Sequence, residues 1–229
     1  MKYKAVIFDL FGTLIENFTR SEYEQVLADM ASIVSAPPDK FRQLWLDSFY
    51  ERTTGIHPTK QASIEYICRK LDIPVTAIQV EQAALIRQEY TRRSFRLKPD
   101  AVEVLSTLKS QGFKIALVSD CSSEVPAVWK ETPFTPFFDV TIFSCDAGVK
   151  KPDPRIYRMA TDKLGVKPED CLYVGDGSSN ELTGALKVGM YPVLIRDPNE
   201  PVDVHYIERE DSWNGPMISS LTEVLNLVK

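Results

Sequence analysis

The chain has 229 residues, of which 44% are hydrophobic and 26% charged, and a formal net charge of -5. This composition suits a soluble globular protein with a sizeable core, and its acidic balance gives no basic footprint for DNA or RNA. The apolar run before Asp9 is too short for a signal-peptide core or a membrane span, so no membrane association and a cytoplasmic location are expected.

From the N-terminus, KAVIFD (4 to 9) reads as the first strand of a parallel sheet, near-continuously apolar and ending in an acid. From Glu16 to Leu97 no strand-like run follows. Instead, apolar residues recur at helical spacing: Tyr23, Val26, Leu27 and Met30; Phe41, Leu44, Trp45 and Phe49; Ile64 and Ile67; Ala83, Leu85, Ile86 and Tyr90. Pro37-Pro38, His57-Pro58 and Ile73-Pro74 divide these into four helices. A helical insert over 16–97 is therefore expected within a core formed by 1–15 and 98–229.

Beyond Pro99-Asp100, a helix whose face is marked by Val102, Leu105 and Leu108 stops at Gly112. Strands KIALVS (114 to 119), VTIFS (140 to 144), CLYVGD (171 to 176) and YPVLIRD (191 to 197) follow, with a helix from Pro154 to Gly165 between the second and third of these. Strands alternating with helices define an α/β fold, a Rossmann-like parallel sheet core carrying an inserted α-helical cap. Cys68, Cys121, Cys145 and Cys171 lack metal-ligand spacing and read as small buried hydrophobes.

Ligands of open α/β sheets bind beyond the carboxyl ends of the strands. Three strand ends here are polar: Asp9, Ser119-Asp120 and Gly175-Asp176. If these strands are neighbours, Asp9 is placed to attack an electrophilic centre and form a covalent intermediate. Gly12 permits close backbone approach to a ligand, and the Thr13 hydroxyl can orient Asp9. Asp176 offers oxygens for a hard cation shared with Asp9, and Lys151 can neutralise substrate charge.

In these motifs the chain resembles the haloacid dehalogenase (HAD) superfamily. FDLFGTL is similar to its first motif, LVSD to its second, the lysine of KKPDP to its third, and VGDGSSNE with TGALKVGM to its fourth. The order of the four and the helical insert after the first fit the family, and the resemblance spans essentially the whole chain. It implies that Asp9 is the nucleophile, that Ser119 binds a phosphate oxygen and that Lys151 steadies the anion. It further implies Mg²⁺ held by Asp9, the Phe11 carbonyl and Asp176, with Glu181 in water-mediated contact. The substrate it implies is a small phosphorylated molecule. Asp120 is expected to turn its carboxylate from the substrate and offer its backbone N–H. Ser122 and Ser123 can assist or cap the next helix.

The chain departs from the phosphatases of this superfamily at Phe11, where they usually carry a second aspartate as acid and base. General acid–base help is worth ~10²–10⁴-fold, roughly 3–5 kcal/mol of barrier. Phe11 therefore favours substrates whose leaving group needs little protonation. Two alternatives remain open. One is a 2-haloacid dehalogenase-like hydrolase, whose halide leaves without a proton; the other is a binding or regulatory protein that has lost turnover. The insert carries Arg20, Arg42, Arg52, His57 and Lys60, which can select an anionic substrate or lie solvated; Trp45 and Phe49 read as its core.

Overall fold

In the computed structural model, which describes residues 2–198 and 213–229, β1 (Ala5–Phe8) is buried along its whole length. Its apolar side chains serve both faces of the sheet, as the continuous apolar run requires. The other strands are β2 (Lys114–Ser119), β3 (Val140–Phe143), β4 (Cys171–Gly175), β5 (Tyr191–Ile195) and β6 (Met217–Ile218). Among the described residues these six form one sheet in the order β3-β2-β1-β4-β5-β6, all pairs parallel. The two-residue β6 was not anticipated, being too short to show a period.

The strand order places β1 between β2 and β4, with Phe8 opposite both Leu117 and Val174. The three polar strand ends are consequently neighbours. One face of the sheet packs a core including Phe8, Leu105, Leu117 and Val193, and the other a core including Ile7, Val118, Tyr157 and Tyr173.

The helical stretch after β1 comprises α1 (Arg20–Ile33), α2 (Pro38–Asp47), α3 (Phe49–Thr53), α4 (Lys60–Lys70) and α5 (Ala77–Arg93). Thr19, Thr59 and Thr76 cap α1, α4 and α5, and Gln79 completes a capping box with Thr76. All of these helices except α3 share a hydrophobic cluster that includes Leu27, Met30, Phe41, Trp45, Ile64 and Tyr90. The chain leaves and returns side by side, with Glu16 N–H donating to the Arg96 carbonyl at 2.8 Å and Lys98 N–H to the Leu14 carbonyl at 3.0 Å.

Details of the helices differ from expectation. The Phe41-to-Phe49 stripe is not one helix: it breaks at Ser48, whose hydroxyl donates to the Trp45 carbonyl at 3.1 Å. Leu85 and Val102 are exposed, because the buried faces run through Val80, Ala83, Ala84 and Arg87 in α5 and through Ala101, Val104, Leu105 and Leu108 in α6 (Ala101–Ser110). The remaining helices described here are α7 (Glu124–Trp129), α8 (Ser144–Ala147), α9 (Pro154–Leu164), α10 (Glu181–Lys187) and α11 (Val224–Leu227). Cys68, Cys121 and Cys171 are buried, whereas Cys145 on the short α8 is half-buried.

Candidate active site

Asp9 is the first residue beyond β1, fixed by its N–H donating to the Val174 carbonyl at 2.9 Å. The chain then turns through Gly12 at φ +73°, and a Cβ there would collide with the carboxylate of Asp176 and the amide of Asn17. Gly12 is thus needed for the approach of Asp176, and it stands outside the cavity wall rather than against a ligand. The Thr13 hydroxyl donates to Asp9 Oδ2 at 3.4 Å, a long bond that orients the carboxylate.

Lys151 follows β3 and α8 and is 1% exposed. Its Nζ lies 2.5 Å from Asp9 Oδ1 and 2.6 Å from Glu181 Oε2. Burial alone would lower its pKa; Asp9 and Glu181 outweigh that and hold the ammonium well above the ordinary lysine range. Glu181, opening α10, also accepts from the Tyr173 hydroxyl at 2.7 Å and from Gly177 N–H at 3.0 Å. Lys150, by contrast, is only partly buried and pairs with Asp120 at 3.4 Å.

Asp9, Asp176 and Glu181 are all buried, and one oxygen from each lies within 4.8 Å of the others. Burial, reinforced by Asp176 and opposed by Lys151, pushes the Asp9 carboxyl up to about 6. Burial likewise raises Glu181 well above the usual carboxylate range, with Lys151 opposing. Three carboxylates around one ammonium leave an excess of negative charge, and the donors are all hard oxygens; both features fit a divalent cation such as Mg²⁺.

At the end of β2, Ser119 is fully buried, its Oγ without a partner among the described residues, and it lies behind the cavity wall rather than on it. The wall here is Asp120, Cys121 and Ser122. The Asp120 carboxylate accepts from Lys151 N–H at 2.9 Å, so it braces the lysine's backbone. Ser123 makes no capping bond to α7, and Ser122 donates to Glu124 Oε1 at 3.0 Å.

A cavity of about 400 Å³ opens between these strand ends and the helical segment, lined by Asp9, Lys151 and Ser178 to Asn180 on one side and by Phe18, Tyr23, Leu46, Phe49, Arg52 and Arg87 on the other. Phe11 also faces it, its ring 4.8 Å from Phe18 and 6.2 Å from Phe95. Phe49 is therefore cavity wall, not interior of the insert, while Trp45 is interior. Of the cationic candidates, Arg52 is on the cavity; Arg20 and Arg42 instead form outer ion pairs with Glu24, and His57 packs on Tyr66 at 4.5 Å. Lys60, at the start of α4, is outside the lining.

Arg87 was missed. It is 4% exposed and paired with Glu124 at 2.7 Å. Counting only apolar residues hides it, yet its spacing from Val80, Ala83 and Ala84 puts it on the buried stripe of α5.

A parallel sheet in this order, with an aspartate, a lysine and an acidic pair gathered at its carboxyl end beside a helical segment, is an α/β architecture whose titratable groups meet at one cavity. The sequence model of haloacid dehalogenase-like hydrolases matches residues 3–189, and the chain belongs to that family. It is 37% identical over 202 residues to a glyceraldehyde 3-phosphate phosphatase of Methanopyrus kandleri, covering 84% of each chain. It is equally 37% identical over 215 residues to (S)-2-haloacid dehalogenase 4A of Burkholderia cepacia, covering 93% of this chain and 91% of the relative. Among solved structures, a 2-haloacid dehalogenase of Pseudomonas syringae pv. Tomato superposes with a TM-score of 0.72 at 18% identity, covering 99% of this chain and 98% of that one. Shared fold is what that likeness establishes. No described helix is long and apolar enough to cross a membrane.

Proposed function

We propose that the chain is a Mg²⁺-dependent phosphohydrolase acting on a small phosphorylated molecule through an aspartyl-phosphate on Asp9. The observation that carries this reading is the buried trio of Asp9, Asp176 and Glu181 around Lys151. Halide release from carbon needs no cation, whereas three clustered carboxylates lower their like-charge cost by sharing one.

In this reading an Asp9 oxygen attacks phosphorus, the bond to the leaving oxygen breaks, and the electron pair departs with that oxygen. Lys151 holds the transferring group, Thr13 keeps Asp9 oriented, and the Asp120 carboxylate holds the Lys151 backbone. Water then attacks phosphorus, freeing phosphate and restoring Asp9. Asp9, the Phe11 carbonyl and Asp176 would hold Mg²⁺, with Glu181 reaching it through water; when bound, the ion neutralises phosphoryl oxygens. Phe11 donates no proton, so good leaving groups such as aryl or acyl phosphates are favoured. The phosphatase relative supports the chemistry without naming this chain's substrate.

Residues 16–97 act as a cap over a core of 1–15 and 98–229, closing on substrate and excluding water. The cytoplasm, a reducing compartment, suits the four free thiols.

The second reading is a carbon-centre hydrolase of the 2-haloacid type, favoured by the Phe11 ring on the cavity and by the Burkholderia cepacia relative. Product release from acyl, aryl and alkyl phosphates and from 2-halo acids, with Mg²⁺ or chelator, separates the two. Metal-dependent phosphate release graded by leaving group supports the first; halide release indifferent to chelator supports the second. Silence on both favours a binding protein.

A further inference from the structure

The cavity holds a second group of cationic side chains besides Lys151. Arg52 and Arg87 both reach it from the helical segment, and both are almost fully buried, at 2% and 4% exposed. Arg87 Nη2 pairs with Glu124 at 2.7 Å, and Arg52 Nη2 donates to the Trp45 carbonyl at 2.9 Å. Arg52 Nη1 reaches the Ser122 hydroxyl only at 3.5 Å. Arg87 Nε and Nη1 and Arg52 Nε are buried with no acceptor among the described residues. Buried N–H groups without an acceptor are costly, and a buried charge without a counter-ion more so.

The guanidiniums are also held in place. Arg52 lies over the Trp45 ring at 4.3 Å, and Arg87 over Tyr23 at 5.2 Å and Tyr90 at 5.5 Å. Rings fix the flat faces and leave the N–H edges for an acceptor in the plane. Two guanidiniums against the single carboxylate of Glu124 leave one positive charge over in this cluster. A monoanion balances it, and a dianion would overbalance it.

From this cluster we infer that the substrate carries a carboxylate, separate from the reacting group, which pairs with the guanidiniums of Arg52 and Arg87. Phe11, Phe18, Tyr23 and Phe49 line the same cavity, so the substrate body that carries phosphate and carboxylate is flat and apolar. The class is a phosphate monoester of an aromatic hydroxy acid. This rests on the phosphohydrolase reading for its reacting end and on the arginine pair alone for its carboxylate.

The test compares 4-carboxyphenyl phosphate with 4-carbamoylphenyl phosphate, the same shape without the charge. In parallel, calorimetry compares binding of 4-hydroxybenzoate and 4-hydroxybenzamide, which needs no turnover. The native protein should prefer the acid about 10-fold or more in kcat/KM and in Kd, the scale of a charge-assisted hydrogen bond. That preference should collapse toward unity in Arg52→Met and in the paired variant Arg87→Met with Glu124→Gln. Equal use of acid and amide by the native protein overturns the inference, whether or not any variant folds. So does a preference that survives both variants. Turnover without acid preference removes the carboxylate site and leaves the hydrolase; acid-selective binding without turnover does the reverse.

Discussion

Lys151 Nζ lies 2.5 Å from Asp9 Oδ1, with both residues buried at the carboxyl end of the sheet although β2 separates the strands they follow. The same ammonium holds Glu181 at 2.6 Å, so one cation compensates two carboxylates and partly offsets a third, Asp176. Removing one partner of a buried charge pair leaves the other uncompensated, at about 3–5 kcal/mol. Lys151→Met should therefore lose about that much stability in urea denaturation as well as turnover. An unchanged urea midpoint would mean that the carboxylates are solvated or neutral without the lysine.

The acidic trio predicts a stabilising cation. Ligand present at 100 times its Kd stabilises by about 2.7 kcal/mol. Mg²⁺ should accordingly raise the Tm of the native protein and fail to raise that of Asp176→Asn, and chelator should abolish phosphate release. A Tm shift of equal size in both proteins would place the cation elsewhere.

Replacing the aromatic ring beside the nucleophile should change selectivity more than rate on easy substrates. Phe11→Asp restores a proton donor two residues after Asp9, a contribution of ~10²–10⁴-fold on leaving groups that need protonation. Rates on alkyl phosphates should rise relative to aryl phosphates, at some cost in stability from the lost contact with Phe18. A native enzyme indifferent to leaving-group pKa would remove the role assigned to Phe11.

The pairing of Arg87 with Glu124 ties α5 to α7 and has its own pH signature. Burial pushes the Glu124 carboxyl up, but Arg87 and Arg52 outweigh it and hold it below its ordinary value. A depressed folded pKa gives stability that is full above the unfolded pKa, about 4.3, and lost as pH falls through the folded value. Glu124→Gln should thus flatten the acid limb of the stability curve below about pH 4.3, with little change in its slope above pH 6. An acid limb identical to that of the native protein would show Glu124 titrating normally.

Much of this was legible in the sequence because the signals were local. The runs ending at Asp9, Ser119 and Gly175 announced buried parallel strands, and the order β2-β1-β4 then made their polar ends converge. Gly165, at φ +64°, ends α9 where the helix was expected to stop. What stayed hidden depends on long-range packing. Ser119 and Gly12 are absent from the cavity lining, and the close approach of Asp176 to Gly12 follows only from the folded arrangement. Arg87 sat unnoticed on an apolar stripe because its counter-ion, Glu124, is 37 residues away across the interface with α7. Arg52 was visible as one of several charges, and only burial separates it from Arg42.

The most direct measurement is acid quenching of the protein during turnover of an aryl phosphate, followed by mass analysis of the peptide containing Asp9. One phosphoryl group on Asp9 in the native protein, and none in Asp9→Asn, is the predicted result. Phosphate release at the native rate by Asp9→Asn, or steady turnover with Asp9 never labelled, would contradict it.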